Sequence, residues 1–327
     1  MAASPLRSQE LTGEPPGRPI PIEELDNPFE LEPMAQSKLD SETYAEISGS
    51  NRKPFDRITF RPRVMVNTAK LDLTTELFGQ NQFAPILIAP VSQQKRFHPD
   101  GELAMMRGAS AAKTVMVIAD RSDYPYEQIA AEAKTGFWYQ VYPDADMNAV
   151  KDRVKKAVTA GCKAVCLTLG VPSQVQQAPD WKAIDRLREG LGIPLLLKGI
   201  MSPEEALAAV QRGVRGIVVS NYVGRSVDWL AAPIEVLPAV ASAVGGKIPI
   251  LIDGGFRRGS DLLKAIALGA RAVLIGRPTL WGLAAYGSAG VQTVLELLQS
   301  ELARDMAMCG RLNIKAVDQS VVKIHRW

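Results

Sequence analysis

Eight apolar runs constrain this chain more than any other feature. They begin near Pro85 (PILIAP), Val115 (VMVIAD), Phe137 (FWYQVY), Ala164 (AVCLTL), Pro194 (PLLLKG), Gly216 (GIVVSN), Pro249 (PILIDGG) and Ala272 (AVLIGRP), 22 to 33 residues apart. Each is short, almost continuously apolar and closed by a polar end, the pattern of a parallel strand covered on both faces. Helical spacing fills the intervals 102–113, 126–133, 147–160, 181–190, 203–212, 233–244 and 260–269, and again 291–308 after the last run. Pro203 after Ser202, and Ser260 before Asp261, are helix-start signals. Eight such units predict an α/β chain closed into a (β/α)8 TIM barrel with an N-terminal extension. A doubly wound open sheet is the alternative. Its first βα turn should carry GxGxxG, and this chain has none there.

The remaining length divides around that barrel. Residues 1–83 read as an arm, a helical stretch (33–48) and a short alternating strand (55–66), 84–310 as the barrel, and 311–327 as a tail. The length of 327 residues suits one barrel with extensions, and a hydrophobic fraction of 46% supplies its core. Lys+Arg 38 against Asp+Glu 35 leaves a formal charge of +3 and no basic stripe, so neither nucleic acid nor a membrane surface is an expected partner. No apolar run is long enough to span a bilayer. The first residues lack the apolar core of a signal peptide. The three cysteines, Cys162, Cys166 and Cys309, have no framework spacing and fit a reducing compartment, so a cytoplasmic location is expected. With only His98 and His325 as histidines, no metal site is expected.

The last two runs end in arginine-bearing glycine turns, Asp253-Gly254-Gly255-Phe256-Arg257 and Gly276-Arg277-Pro278. Glycine lets a backbone approach a ligand closely, bare N–H groups bind anions, and guanidinium adds bidentate contacts. Adjacent turns of this kind make a phosphate cradle, a common device after strands 7 and 8 of such barrels. The other run ends carry Pro90-Val91-Ser92, Asp120, Gln140 with Tyr142, Thr168, Lys198, and Ser220-Asn221-Tyr222 with Arg225. Any one of these reads as a satisfied loop residue. Eight polar ends meeting at one barrel mouth read as a site. Lys198 closes an apolar strand and needs a partner if buried. It could be a core ion pair with Asp253, a cation beside a ring that gains negative charge, or a Schiff-base lysine. Gln140 and Thr168 suit an amide-like ring edge.

Those residues, with ITFRPRV at Ile58, HPDGE at His98, YQVY at Tyr139, LKGI at Leu197, SNYVGR at Ser220, DGGFRRGSD at Asp253 and LGARAVLIGRP at Leu268, carry a resemblance. From about Ile58 to Met308 the chain is similar to the FMN-dependent α-hydroxy acid oxidase/dehydrogenase family, which includes glycolate and lactate oxidases. The resemblance implies FMN across the barrel mouth. Pro90, Val91 and Ser92 would meet the ring edge, and Gln140 and Thr168 its pyrimidine part. Lys198 would face N1 and the C2 carbonyl, and Ser220 the ribityl chain or ring. Asp253, Gly255, Arg257, Gly276 and Arg277 would hold ribityl and phosphate. Arg225 would pair with a small substrate carboxylate and Tyr142 with the substrate oxygen. It also implies a homo-oligomer, commonly a tetramer.

The chain departs from that family where the chemistry occurs. The family motif SNHGGR supplies a base histidine, and here the position is Tyr222. The aspartate that orients this histidine is replaced by Gly170. The loop after strand 4, arginine-bearing in the family, is only 172–180, and a flavin-contacting serine becomes Ala119. The N-terminal active-site tyrosine has no match in register, although Tyr44 lies close. Tyrosine ordinarily titrates near pH 10 and histidine near 6.5, so the replacement exchanges an acceptor for a donor. A positioned base contributes roughly 10²–10⁴-fold. Three readings follow: an oxidoreductase acting on a small 2-hydroxy acid with Tyr222 in the catalytic position, an FMN enzyme of this fold with different chemistry, or a catalytically degenerate flavin-binding protein.

Overall fold

All eight apolar runs form strands, because β-branched and leucine-rich segments bury both faces when strands run parallel. The computed structural model describes residues 20–49, 52–144, 146–170, 180–222 and 231–325. The barrel strands are β1 (Ile86–Ile88), β2 (Val115–Ala119), β3 (Phe137–Val141), β4 (Val165–Thr168), β5 (Leu195–Ile200), β6 (Gly216–Val219), β7 (Ile250–Ile252) and β8 (Ala272–Ile275). They pair in sequence order, and β8 returns to β1 through Leu274 opposite Leu87, which closes the barrel. Helices α1 (Gly101–Ala111), α2 (Tyr126–Ala131), α3 (Met147–Thr159), α4 (Trp181–Arg188), α5 (Pro203–Gln211), α6 (Pro233–Val244), α7 (Gly259–Ala267) and α8 (Arg277–Met308) alternate with them.

Strand alternation sorts the core into two parts. Leu195 and Leu197 of β5 pack outward under the helices, whereas Leu196 joins Leu87, Val117, Trp138, Val218 and Leu251 inside the barrel. Phe78 closes the lower end, its ring 5.6 Å from that of Trp138. Phe78 is held at φ 55°, and Gly216 makes room for it, since a Cβ there would lie 2.9 Å from the Phe78 ring.

Three expectations outside the barrel need correction. The helical stretch expected over 33–48 is two helices, Leu31–Lys38 and Ser41–Ile47. Asp40 divides them because its carboxylate accepts the N–H groups of Glu42 and Thr43 and so starts a new helix. The strand expected over 55–66 is confined to Ile58–Phe60, which pairs antiparallel with Val322–Ile324 of the tail. Lys53–Asp56 is helical, and Pro62 cannot donate to a ladder. The final helix does not wait for residue 291. It begins at Arg277, directly on the second glycine turn, and leaves helical geometry only at Tyr286 and Gly287. Its two halves cross so closely that a Cβ on Gly290 would lie 2.1 Å from the Gly282 carbonyl oxygen.

Candidate functional site

The alternation that fills the barrel also builds its mouth. Two residues beyond the inward-facing Trp138, Cys166, Leu196, Val218 and Leu251 stand Gln140, Thr168, Lys198, Ser220 and Asp253. An apolar layer is therefore capped by a polar one on β3 to β7. The same step on β8, β1 and β2 reaches Gly276, Ala89 and Ala119. One half of the mouth is polar, and the other is sterically open.

The polar half is tightly connected. Lys198 is 3% exposed, and its Nζ donates to Asp253 Oδ2 at 2.8 Å and to Ser220 Oγ at 2.7 Å. A buried ammonium persists only with such partners. Gly199 helps to place it. This residue sits at φ 111° in a register shift between β5 and β6, and a Cβ there would meet the Leu169 carbonyl oxygen at 2.8 Å. Gln140 Nε2 donates to Thr168 Oγ1 at 3.0 Å, while the buried Gln140 Oε1 has no partner. An unpartnered carbonyl oxygen on a polar mouth fits a ligand N–H. Across the opening, Gln94 Nε2 donates to the Val91 carbonyl at 2.9 Å, which fixes the Pro90-Val91-Ser92 turn.

Two tyrosines stand over this layer. Tyr142 and Tyr222 approach hydroxyl to hydroxyl at 3.3 Å. Lys198 Nζ lies 5.1 Å from the centre of the Tyr222 ring, and the Arg121 guanidinium 5.0 Å from that of Tyr142. Burial, and then the hydrogen bond with Tyr222, push the Tyr142 phenol well above its ordinary value, so it stays protonated at neutral pH. Tyr142 therefore offers an O–H group and no phenolate. Arg225 lies outside the described residues, as does the segment after Leu169-Gly170 up to residue 179. Gly170 sits at φ 80°, a conformation that favours glycine.

The two glycine turns bring Arg257 and Arg277 close enough for their charges to interact. Gly254 and Gly255 hold φ of 93° and 86°. The N–H groups of Arg257 and Arg258 both donate to Asp261 Oδ2 at 2.9 Å, so the carboxylate at the start of α7 shapes the turn. Arg257 is 2% exposed, its guanidinium 4.7 Å from the Trp281 ring centre, and its Nε has no partner. Burial, and then the charge of Arg277, push the Arg257 guanidinium down to about 9. A guanidinium keeps its proton at neutral pH, so the shift reports positive charge short of counter-charge. Arg257 Nη2 reaches the Gly49 carbonyl at 3.1 Å and Arg277 Nη1 the Ser48 carbonyl at 3.1 Å. Two crowded guanidiniums, one with an unpartnered nitrogen, fit a dianionic phosphate.

Sequence reasoning missed several members of this region. Glu32 approaches both arginines, and its carboxyl is raised by burial against their lowering charges. Tyr44 bonds Glu32 and so belongs to the cradle side. Buried Glu102 accepts the N–H groups of Gln94 and Asp123, tying the loops after β1 and β2 together. Only its place in HPDGE could have suggested it. Arg121 stood beside Asp120 unremarked. His98 accepts the Asp100 N–H at 3.1 Å and abuts Gly287, and His325 bonds Thr59, so neither contributes to the tyrosine pair. A cavity of about 630 Å³ opens at the opposite end of the barrel, lined by Arg215, Lys247, Arg271 and Lys315. It touches the beginnings of strands, whereas barrel chemistry belongs to their C-terminal ends.

Known proteins are similar to this chain along most of their length. Glycolate oxidase 3 of Arabidopsis thaliana is 35% identical over 92% of this chain and 96% of its own. L-lactate oxidase of a Nostoc species is 36% identical over 91% and 98%. Among solved structures, mandelate oxidase with (S)-2-phenylpropionate superposes with a TM-score of 0.86, at 34% identity over 91% of this chain and 98% of that one. A flavocytochrome b2 variant with pyruvate bound gives 0.89, at 28% identity over 93% and 88%. The profile of the FMN-dependent dehydrogenases matches residues 30–176 and 170–324. A closed eight-stranded barrel, and likeness at this level to glycolate, lactate and mandelate oxidases, lead to one conclusion: this chain belongs to the FMN-dependent dehydrogenase family and is an FMN-dependent oxidoreductase of the α-hydroxy acid oxidase kind.

Proposed function

We propose that this chain oxidises a small 2-hydroxy acid with FMN, in a site where Tyr222 occupies the position of the family's base histidine. The observation that carries the reading is the Tyr142–Tyr222 hydroxyl pair, 3.3 Å apart, with the Tyr222 ring centre 5.1 Å from the Nζ of Lys198, which is paired with Asp253. Bound FMN supplies the two-electron acceptor. Gln140 and Thr168 would hold the polar edge of its ring, with the unpartnered Gln140 Oε1 accepting a ring N–H. Pro90, Val91 and Ser92 would line the opposite edge through backbone. Arg257, Arg277, Gly255 and Gly276 would hold the phosphate, and Ser220 and Asp253 the ribityl chain. Lys198, paired with Asp253 at 2.8 Å, would place positive charge beside the ring edge that becomes anionic.

Tyr142 and Tyr222 would grip the substrate oxygen as donors, and Arg225 would pair with its carboxylate. Two donors without a base predict slow proton removal from a hydroxyl group. Purified protein should be yellow, and lactate, glycolate or mandelate should bleach it weakly under anaerobic conditions. Colourless protein that does not take up FMN would sink the reading. Reduction by some other donor, with none by any hydroxy acid, would favour different chemistry. A flavin that no donor reduces would indicate a degenerate binder.

The chain's location is proposed to be cytoplasmic, in keeping with its three free, buried cysteines. Among the described residues no helix is long and apolar enough to cross a membrane. A homo-oligomer is proposed from the strongly exposed Val64 (86%) and Met65 (95%), which lie near exposed Met308. Light scattering of the purified protein tests it.

A further inference from the structure

Glu102 lies in the first turn of α1, within the HPDGE stretch, and is 0% exposed. Gly101 gives it that place. At φ 40° its backbone runs so close to the loop after β1 that a Cβ would lie 3.0 Å from the Lys95 nitrogen. One carboxylate oxygen of Glu102, Oε1, accepts the Gln94 N–H at 3.1 Å and the Asp123 N–H at 3.2 Å. Its Oε2 has no partner, and among the described residues no cation pairs with it. Burial pushes the carboxyl above the usual carboxylate range, and the Asp123 charge adds to the shift. A buried carboxyl without counter-charge is costly, and the two N–H groups it satisfies are what offset that cost.

The segment it holds is strained. Gln93 is a non-glycine residue at φ 56°, in the left-handed region, and it joins the Pro90-Val91-Ser92 turn to Gln94. Gln94 is itself 0% exposed, and its Nε2 donates to the Val91 carbonyl at 2.9 Å. Two hydrogen bonds therefore lead from buried Glu102, through Gln94, to the turn at the mouth. The loop after β2 is fastened to the same place, because the Lys95 N–H also donates to Asp123 Oδ2 at 2.7 Å. Without Glu102 the segment loses the acceptor that fixes Gln94, and with it the contact that fixes Val91.

We propose that Glu102 is a positioning residue for the flavin: through Gln94 it sets where the Pro90-Val91-Ser92 backbone meets the ring edge, and so tunes the reactivity of a ring that it does not touch. This rests on the reading above that places this turn at the ring edge. Arg257 and Arg277, which would hold the phosphate at the other end of the cofactor, make no hydrogen bond to Glu102 or Gln94. Reactivity of the ring and affinity for FMN therefore separate. A displacement of about 1 Å at the reacting groups can cost about 10²-fold in rate while leaving a distant phosphate contact intact.

The test uses the FMN-loaded protein and three variants. Sulfite, which adds reversibly to N5 of an oxidised flavin, reads the reactivity of the ring without any hydroxy acid, and visible absorbance follows it. Glu102→Leu removes the acceptor. It should change the sulfite dissociation constant by about 10-fold or more, with FMN affinity within about 3-fold of the wild type. Glu102→Gln keeps an accepting oxygen and should hold both close to the wild-type values. Gln94→Met leaves Glu102 and the Gln94 N–H in place but severs the Val91 contact, so it should reproduce the effect on sulfite even where Glu102→Leu does not fold. Hydrogen exchange over residues 90–96 reads the turn itself. An unaltered turn with unaltered sulfite binding in Gln94→Met would overturn the inference at Gln94 and Glu102. A loosened turn beside a normally reactive flavin would overturn it at the ring-edge reading on which it rests. Equal losses of FMN affinity and sulfite reactivity would make Glu102 a general support and no positioning residue. Because sulfite replaces the substrate, failure of every hydroxy acid to reduce the flavin leaves this test intact.

Discussion

Tyr142 and Tyr222 meet hydroxyl to hydroxyl at 3.3 Å although 80 positions separate them in sequence. The contact joins the ends of β3 and β6 and sets the chemical character of the mouth. With the Tyr142 phenol held protonated by burial and by this hydrogen bond, one hydroxyl of the pair accepts from the other and Tyr142 offers no phenolate base.

Installing a base there should change the rate. We predict that Tyr222→His raises anaerobic flavin reduction by a hydroxy acid by about 10²–10⁴-fold, with a new dependence on pH near 6.5. Stopped-flow absorbance measures it. Fast reduction by the wild type and no gain in the variant would show that the tyrosine is no handicap. Adding Gly170→Asp should help less than its orienting role suggests. At φ 80° a non-glycine residue costs about 1 kcal/mol.

The crowding of Arg257 against Arg277 predicts opposite effects on binding and on folding. Arg257→Gln should weaken FMN binding by about 10- to 100-fold, as expected for a lost charge-assisted contact. The same change should leave the FMN-free protein no less stable, because it removes a buried guanidinium pushed down to about 9. Fluorescence titration and thermal melting read the two separately. Unchanged affinity would remove Arg257 from the phosphate site.

Lys198 and Asp253 form a buried pair at 2.8 Å, with side chains 3% and 15% exposed. Lys198→Met strands a carboxylate inside the mouth and should lower stability by about 3–5 kcal/mol. A Lys198→Met/Asp253→Leu double variant should recover more than half of that loss, although neither variant should reduce its flavin normally. Urea unfolding of all three proteins checks this. Equal losses in the single and double variants would mean that the pair is not energetically coupled.

Three phenols, buried Tyr139 and half-buried Tyr126 and Tyr142, predict alkaline sensitivity. Burial comes first in each case. It pushes Tyr126 up to about 12, and raises Tyr139, which also donates to Asp120, and Tyr142. A folded-state value above the unfolded one means that the neutral form stabilises the native state. The contribution is complete below pH 10, where the unfolded phenols are still protonated, and is lost as pH rises beyond it. Melting temperature should therefore fall steeply above pH 10, and less steeply in Tyr139→Phe. Identical alkaline profiles would exclude the assignment.

The barrel, its eight strands, the arginine-bearing glycine turns and the polar residues of the rim were all legible in the chain before folding was considered. They were legible because each is written locally: apolar runs set strands, glycine sets turns, and the alternation of a strand fixes which side chain faces inward. How those residues pair was not legible there. That Lys198 takes both Asp253 and Ser220, that Gln140 keeps one oxygen unpartnered, and that Glu32 approaches the cradle all depend on chain segments far apart in sequence. The break at Asp40 and the early start of α8 were overlooked for a related reason. A capping carboxylate competes with a continuous apolar pattern, and a glycine turn can serve as both strand end and helix start. Arg121 illustrates the division most clearly. Its charge is evident in the sequence, but its place beside Tyr142 exists only once β2 and β3 lie side by side.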